Sequence, residues 1–385
     1  MSARTGSLRL SLLYAVVFTE IGIAMPFLPI WLDALGLDAG VIGLLLALPI
    51  ATRIAVTAPL MGQIDRGLGP RRLIVLGSLA VAATYALMPP AAGLGWPALA
   101  VLAVLNAAAG APLVPSIDYL TLAAVRRDPR LAYARIRMGG SVAFLAANLA
   151  GGALLADLGG RLAVPVLLTG LALLAGLVAA LCSPAAAPPH AASEGGRPRL
   201  PRRLWLCIGA AATIQASHGA VYGFGSIHWT GHGISSAWVG GLWAVGVLAE
   251  IALFAGAARL PPAWREPVPL LALGGAAAIV RAVGMFYLGD RLGALVPLQC
   301  LHGLTFGATQ LGAMAAVSGL APEGARGRAQ GTLSAVNAGV SVCATLASGI
   351  VYRADGPLAF LAMAPLAACG LALAWAARRE TVPQP

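Results

Sequence analysis

Five charged side chains stand inside otherwise apolar stretches of this chain: Glu20, Arg53, Asp118, Glu250 and Arg281. Charge is costly in hydrocarbon, so a charged side chain in a membrane segment is expected to face the protein interior or a water-filled path. Carboxylates can bind and release protons there, and guanidinium groups can hold anions or neutralise the carboxylates. The pattern therefore indicates a membrane protein that moves a solute or a proton.

Apolar helices must position these residues. Of the 385 residues, 59% are hydrophobic and 10% are charged, and the mean hydropathy is +0.84. A bilayer core is crossed by about 20 apolar residues in a helix. On this basis we predict twelve membrane spans, at residues 8–31, 39–62, 72–90, 96–123, 136–156, 162–182, 204–228, 237–258, 268–288, 293–318, 328–351 and 357–377.

Several function classes are excluded by composition. The net charge of +11 comes from arginines in short connections, with no basic helix or aromatic-interleaved patch, so no nucleic-acid partner is expected. The five cysteines lack metal-binding spacing, and we interpret them as small buried hydrophobes without metal or disulfide. The sequence shows neither a P-loop nor a nucleophile–base–acid set. We therefore expect no enzyme and no cofactor, only an ion gradient as energy source, with protons favoured over sodium.

The chain divides at a polar linker. Residues 183–203 are rich in Pro, Ala, Gly and Arg and are expected to join an N-terminal six-helix bundle, 1–182, to a C-terminal bundle and short tail, 204–385. With the N-terminus inside, twenty arginines fall on the cytoplasmic side and three on the other. This bias predicts an inner-membrane protein with both termini in the cytoplasm. We expect it to act as a monomer in the bilayer.

The two halves repeat one another. The segment WLDALGLDAGVIGLLLA resembles WTGHGISSAWVGGLWA in the second half, with one residue of slippage. The repeat places Arg53 opposite Glu250, and Glu20 opposite His218. Repeated bundles are typical of secondary transporters whose substrate site lies between the halves near the bilayer midplane.

Longer stretches carry a family resemblance. The connection GQIDRGLGPRR resembles a degenerate loop signature of the major facilitator superfamily. Its matching positions are Gly62, Asp65, Arg66, Gly69, Arg71 and Arg72. FTEIGIAMPFLPIWL, NAAAGAPLVPSIDYL and YARIRMGGSVAF resemble the 3-phenylpropionate transporter branch, which is related to lactose permease. The resemblance implies an all-α membrane protein of twelve helices in two pseudo-symmetric bundles, and proton-coupled uptake of small organic molecules, including an aromatic carboxylate.

The similarity to lactose permease suggests roles for single residues. Asp118 falls where that family has a sugar-binding glutamate, and Arg137 falls on its partner arginine. Glu250, Arg281 and His302 resemble the permease's charged constellation on helices 8 to 10. Thr305 stands where the permease has a proton-carrying carboxylate. The proton carrier therefore cannot simply be transferred from that family.

Each buried charge has a functional and a structural interpretation. Glu250, with Arg281 and His302, is our candidate for proton coupling, since burial favours the neutral carboxyl and a nearby arginine favours the charged one. The alternative is a permanent ion pair between helices 8 and 9. Arg53 is expected to be buried and paired with Glu20 or Asp118, and Glu20 is a second candidate proton site.

Substrate contacts are expected from polar residues that face inward. Arg137 is the better ligand of the predicted Asp118–Arg137 pair, because guanidinium binds carboxylate bidentately; the alternative roles are a gate or a solvated loop arginine. His218, Tyr222, Gln299 and Asn337 lie on polar stripes that line a cavity or join helices.

We predict proton symport of a small organic solute by alternating access, with a phenylpropionate-like carboxylate favoured. Sugar or nucleoside symport, drug–proton export and a non-transporting receptor remain alternatives.

Overall fold

The computed structural model describes residues 3–380 except 65, 129, 159–161, 183–198 and 323–324. This part of the chain is helical and contains no strand, as expected where lipid offers the backbone no hydrogen-bond partner. Its α-helices are α1 (Ala3–Ala34), α2 (Ala39–Met61), α3 (Pro70–Ala92), α4 (Trp96–Gly110), α5 (Leu113–Arg127), α6 (Tyr133–Leu158), α7 (Ala163–Cys182), α8 (Arg202–Ala216), α9 (Ser226–Gly231), α10 (Ser236–Gly256), α11 (Pro267–Leu288), α12 (Leu292–Cys300), α13 (Thr309–Leu320), α14 (Arg326–Ala354), α15 (Leu358–Leu361) and α16 (Ala364–Arg379).

Two π-helical segments interrupt the helices of the second half. Val221–Gly225 joins α8 to α9, and Gly303–Ala308 joins α12 to α13. Among the described residues, eleven helices are long and apolar enough to cross a membrane. The predicted span 293–318 is not one of them; it consists of α12, the second π-helical segment and α13.

The first compact unit is formed by the described residues of Met1–Leu37, Leu48–Ala191 and Ser235–Gly241. Within it, α1 packs on α6 and α7, and α3 packs on α4 and α7. The approach of α1 to α6 depends on Gly22, where a Cβ atom would lie 2.9 Å from the carbonyl oxygen of Phe144. Small residues allow this spacing, as they commonly do between membrane helices.

The second compact unit is formed by the described residues of Asp38–Ala47, Ala192–Ile234 and Leu242–Pro385. In this unit α8 packs on α14 and α16, and α11 packs on α13 and α16. The start of α2 belongs to it because Gly43 meets Gly349 of α14: a Cβ on Gly43 would lie 2.9 Å from the Gly349 Cα. Asp38 also pairs with Arg353, with 3.5 Å between Oδ1 and Nη1.

The predicted domain boundaries at 182 and 203 stay a prediction, since most of the linker lies outside the described residues.

The expectation that the cysteines are buried needs correction. Cys207 is buried, but Cys300, Cys343 and Cys369 are exposed on the protein surface. All four are free thiols. Exposed cysteines on apolar helices are compatible with lipid contact. A hydrophobic sequence is expected both for residues that face lipid and for residues buried in the protein, so it does not distinguish the two.

Candidate functional site

The second unit gathers four predicted site residues into one connected cluster. Glu250 of α10 lies with its Oε2 4.0 Å from Nε2 of His302. The Nδ1 of His302 lies 3.4 Å from Nη1 of Arg281 on α11. Arg281 in turn donates through Nη2 to Oε1 of Gln299 on α12, at 2.5 Å. The order Glu250–His302–Arg281–Gln299 thus runs from a half-buried carboxyl to a buried amide.

His302 stands between the carboxylate and the arginine. Among the described residues, Glu250 and Arg281 form no direct ion pair within 4.0 Å. Arg281 is only 5% exposed and Gln299 only 3%, so the buried guanidinium faces a neutral amide and an imidazole. The structural alternative of a direct Glu250–Arg281 pair is therefore wrong for this conformation. A proton gained or lost at Glu250 would act on Arg281 through His302.

A second histidine lies beside this cluster. His218 is buried, and its Nε2 lies 2.8 Å from Oγ1 of Thr305. Its ring is 5.3 Å from that of His302, in an edge-to-face arrangement. The Tyr222 ring lies 5.2 Å from His218 and 5.6 Å from Trp243. Thr305 thus serves as a hydrogen-bond partner of His218.

Both π-helical segments lie at this cluster. His218 precedes the segment Val221–Gly225, which contains Tyr222, and His302 directly precedes Gly303–Ala308, which contains Thr305. A π-helical turn changes the direction of side chains relative to a regular helix, and such turns are frequent at functional sites. The local distortion is therefore part of what brings the two histidines together.

The approach of α10 to His302 depends on glycine. A Cβ on Gly303 would lie 2.7 Å from the carbonyl oxygen of Ala249, the residue before Glu250. We expect Gly303→Ala to force α10 away from His302, to destabilise the protein by about 1–3 kcal/mol, as overpacking does, and to lower solute uptake. Thermal unfolding and uptake assays measure both effects. Gly319→Ala is the matched control, because a Cβ there meets nothing within 4 Å; equal behaviour of the two variants would contradict this account.

In the first unit, Asp118 is held by two tyrosines. Tyr14 of α1 donates a short hydrogen bond to its Oδ1, and Tyr133 of α6 donates to the same oxygen at 2.8 Å. The carboxylate of α5 thereby joins three helices. This arrangement favours a structural role for Asp118 over direct contact with a substrate.

The predicted Asp118–Arg137 ion pair is wrong in this conformation. Within the described residues Arg137 has no carboxylate within 4.0 Å. Its guanidinium carbon instead lies 4.0 Å from the centre of the Phe18 ring and 5.2 Å from that of Tyr14. Asp118 accepts hydrogen bonds from the two tyrosine hydroxyls, and Arg137 makes cation–π contacts, so each charged group has its own set of partners. Arg137 is half-buried and remains a candidate ligand for an anionic aromatic molecule.

Removing the Tyr14 hydroxyl should destabilise the first unit. We expect Tyr14→Phe to lower the free energy of unfolding by about 1.5–3 kcal/mol, the usual contribution of a hydrogen bond to a charged group. Thermal or denaturant unfolding in detergent tests this. Tyr287→Phe, at a side chain that is 67% exposed, should change stability little. A Tyr14→Phe variant as stable as the parent protein would exclude the structural role of this contact.

Glu20 lies in a separate buried cluster of the first unit. Its Oε1 accepts a hydrogen bond from the hydroxyl of Tyr85 on α3, at 2.9 Å. Arg53 of α2 forms no ion pair with Glu20 within 4.0 Å among the described residues. The side chain of Arg53 is exposed. The predicted burial of Arg53 is therefore wrong, and among the described residues the expected ion pair with Glu20 or Asp118 is not formed within 4.0 Å.

The remaining predicted residues lie apart from these clusters. Asn337 of α14 is half-buried, and its Oδ1 has no partner among the described atoms. In the loop signature, Gly62 and Gly69 flank the turn before α3, Arg66 and Arg72 are exposed, and Asp65 lies outside the described residues. Arg71 donates to the carbonyl of Ala180 near the end of α7, where a cation is favoured by the helix dipole.

The sequence interpretation missed several tyrosines. Tyr14 and Tyr133 hold the half-buried carboxylate of Asp118, and Tyr85 holds the buried carboxylate of Glu20. A buried tyrosine usually finds a hydrogen-bond partner for its hydroxyl. The presence of single tyrosines in apolar helices that also carry acids was the available signal, but only the packing of the helices shows which tyrosine meets which acid.

Comparison with known proteins agrees with this architecture. The sequence model described as the MFS_1 like family matches residues 7–362. The chain belongs to this family. A curated relative is the "Probable 3-phenylpropionic acid transporter" of Escherichia coli (strain K12). It is 30% identical to this chain over 374 residues, and the match covers 93% of this chain and 94% of the relative.

Solved structures resemble this chain over nearly its full length. The nucleoside transporter NupG matches with a TM-score of 0.81 at 15% identity, covering 99% of this chain and 100% of that chain. A bacterial homologue of the human lysosomal transporter Spinster matches with a TM-score of 0.73 at 15% identity, covering 98% and 97%. The predicted major facilitator fold is confirmed. The protein is a multi-pass membrane transporter of this superfamily, and its relatives are transporters, not enzymes.

Proposed function

We propose that this transporter imports a small aromatic carboxylate together with a proton by alternating access. In this proposal it lies in the inner membrane with both termini in the cytoplasm, as the arginine distribution predicts. The E. coli relative, named for 3-phenylpropionic acid, supports the substrate class. Low-identity likeness to a nucleoside transporter reflects the fold and does not favour nucleosides.

The Glu250–His302 contact carries the proton-coupling part of the proposal. A half-buried carboxyl 4.0 Å from an imidazole can exist as the neutral acid or as a carboxylate. In the charged form it balances the buried Arg281 through His302, and in the neutral form that balance is lost. Loading a proton therefore changes the electrostatic balance at the one strongly buried cation of this cluster. The same contact is compatible with a cycle in which proton and solute leave together.

The substrate part of the proposal rests on Arg137 and its rings. A guanidinium group binds a carboxylate bidentately, and Phe18 offers a face for an aromatic ring. Arg137 lies over Phe18 and is half-buried, so charge and aromatic surface are adjacent. An aromatic carboxylate would use the charge and the ring together.

Uptake into proteoliposomes tests the proposed function. Labelled 3-phenylpropionate is supplied under an imposed pH gradient, then under a sodium gradient, and protein-free liposomes correct for passive entry of the neutral acid. We expect accumulation with the pH gradient alone, suppressed by a protonophore. Unlabelled galactoside and nucleoside should not compete. Accumulation driven only by sodium, or competition by nucleoside but not by phenylpropionate, would contradict the proposal.

A further inference from the structure

A cavity lies away from the charged clusters, at one end of the second unit. Its volume is about 680 Å³. One wall is a single face of α13, formed by Leu311, Met314, Ala315 and Ser318 at helical spacing. Over this spacing the wall extends about 10 Å along the helix. The cavity is therefore a mostly apolar slot with the depth of a short stretch of acyl chain.

Two arginines stand at the cavity. Arg265 follows α10, and Arg326 begins α14; both line the cavity. The membrane spans of α10, α11 and α14 end or begin at Gly256, Pro267 and Arg326 respectively. The cavity therefore lies at the ends of candidate membrane spans, where we expect the boundary between hydrocarbon and headgroups.

The position of Arg265 is fixed by the backbone. Its Nε donates to the carbonyl of Leu260 at 2.9 Å, which leaves the two Nη groups as donors for another ligand. Among the described residues, the acid next to these arginines in the sequence is Glu266, which forms no ion pair within 4.0 Å with either of them. Glu323 lies outside the described residues. The cavity therefore combines positive charge at its mouth with an apolar interior.

We propose that this cavity binds an anionic phospholipid, with the phosphate at Arg265 and Arg326 and part of one acyl chain along α13. Basic pockets between membrane helices at the headgroup level suit anionic headgroups. The apolar wall distinguishes a lipid from a free phosphate, which would gain nothing from Leu311 or Met314. This site is independent of the proposed solute and of the cluster around Glu250.

Native mass spectrometry of the full-length protein, titrated with phosphatidylglycerol or with phosphatidylcholine, tests the lipid site. We expect retained phosphatidylglycerol and about tenfold to thirtyfold weaker retention in the double variant Arg265→Gln/Arg326→Gln, since each arginine near an anionic headgroup contributes a factor of about five. Arg378→Gln/Arg379→Gln removes two exposed arginines at the end of α16 that do not line the cavity and should retain the lipid as the parent does.

A second variant separates insertion from surface attraction. Ala315→Trp fills the slot without changing charge, and we expect it to weaken phosphatidylglycerol retention while the thermal stability of the lipid-free protein confirms folding. Glycerol phosphate, which has the headgroup charge but no chain, should not displace the lipid. Equal loss of lipid in both arginine double variants, unchanged retention in Ala315→Trp, or displacement by glycerol phosphate would overturn the proposal.

Discussion

Glu250→Gln should abolish uphill uptake while leaving solute exchange intact. Glutamine keeps the size and hydrogen-bonding capacity of the neutral acid but cannot lose a proton, so a cycle that needs a charged carboxylate cannot be driven by the gradient. A gradient of one pH unit supplies about 1.4 kcal/mol, which corresponds to about tenfold accumulation at one proton per solute. In the variant, accumulation should fall to about the level of equilibration. Labelled 3-phenylpropionate in proteoliposomes measures both gradient-driven uptake and exchange at equal pH.

The matched control is an acid outside the membrane spans. Asp128 lies in the loop after α5, where the guanidinium of Arg130 holds the pKa of its carboxyl below the usual range. Asp128 therefore stays charged across the neutral range and carries no proton in the cycle. We expect Asp128→Asn to accumulate solute as the parent does. Persistent uphill accumulation by Glu250→Gln would refute Glu250 as the coupling residue, and the loss of exchange as well would indicate damage to folding or solute binding.

Arg281→Gln should reduce uptake at least tenfold without loss of stability. Burying a guanidinium costs several kcal/mol, and here the cation meets a neutral amide and an imidazole, not a directly bonded carboxylate. A glutamine at this position removes the buried charge and can still donate to Gln299. We therefore expect the free energy of unfolding to change by less than about 1 kcal/mol or to rise. Uptake should fall because the variant lacks the positive charge of Arg281, which the Glu250 carboxylate balances through His302.

The stability measurement decides between a coupling and a structural arginine. If Arg281 were half of a tight buried ion pair, its removal would cost about 3–5 kcal/mol, because a carboxylate would be left buried without a partner. Arg281→Lys is the informative companion variant, since it keeps the charge but loses the fork that reaches His302 and Gln299 together. We expect it to retain more uptake than Arg281→Gln. A strongly destabilised Arg281→Gln, or one with full uptake, would contradict the proposed role.

Most of the fold could be predicted from hydropathy. Each predicted span except 293–318 corresponds to a helix or helix pair that is long and apolar enough to cross a membrane. Two predicted spans contain a π-helical segment, Val221–Gly225 in the span 204–228 and Gly303–Ala308 in the span 293–318. Apolar composition indicates a membrane helix whether its hydrogen bonds are regular or shifted by one residue, so periodicity alone does not reveal such a turn.

The sequence by itself determined that charges sit in apolar helices and therefore have to be kept from lipid, since hydration or a partner must offset their burial. It selected Glu250, Arg281, His302 and Gln299, which the structure brings together. Only the tertiary structure decided the order of contacts, with His302 between the acid and the arginine. It also showed that Asp118 accepts hydrogen bonds from two tyrosines and that Arg137 packs over the Phe18 ring. A hydrogen bond depends on distances of a few tenths of an ångström across helices that are far apart in sequence, and residue spacing along one helix does not contain that information.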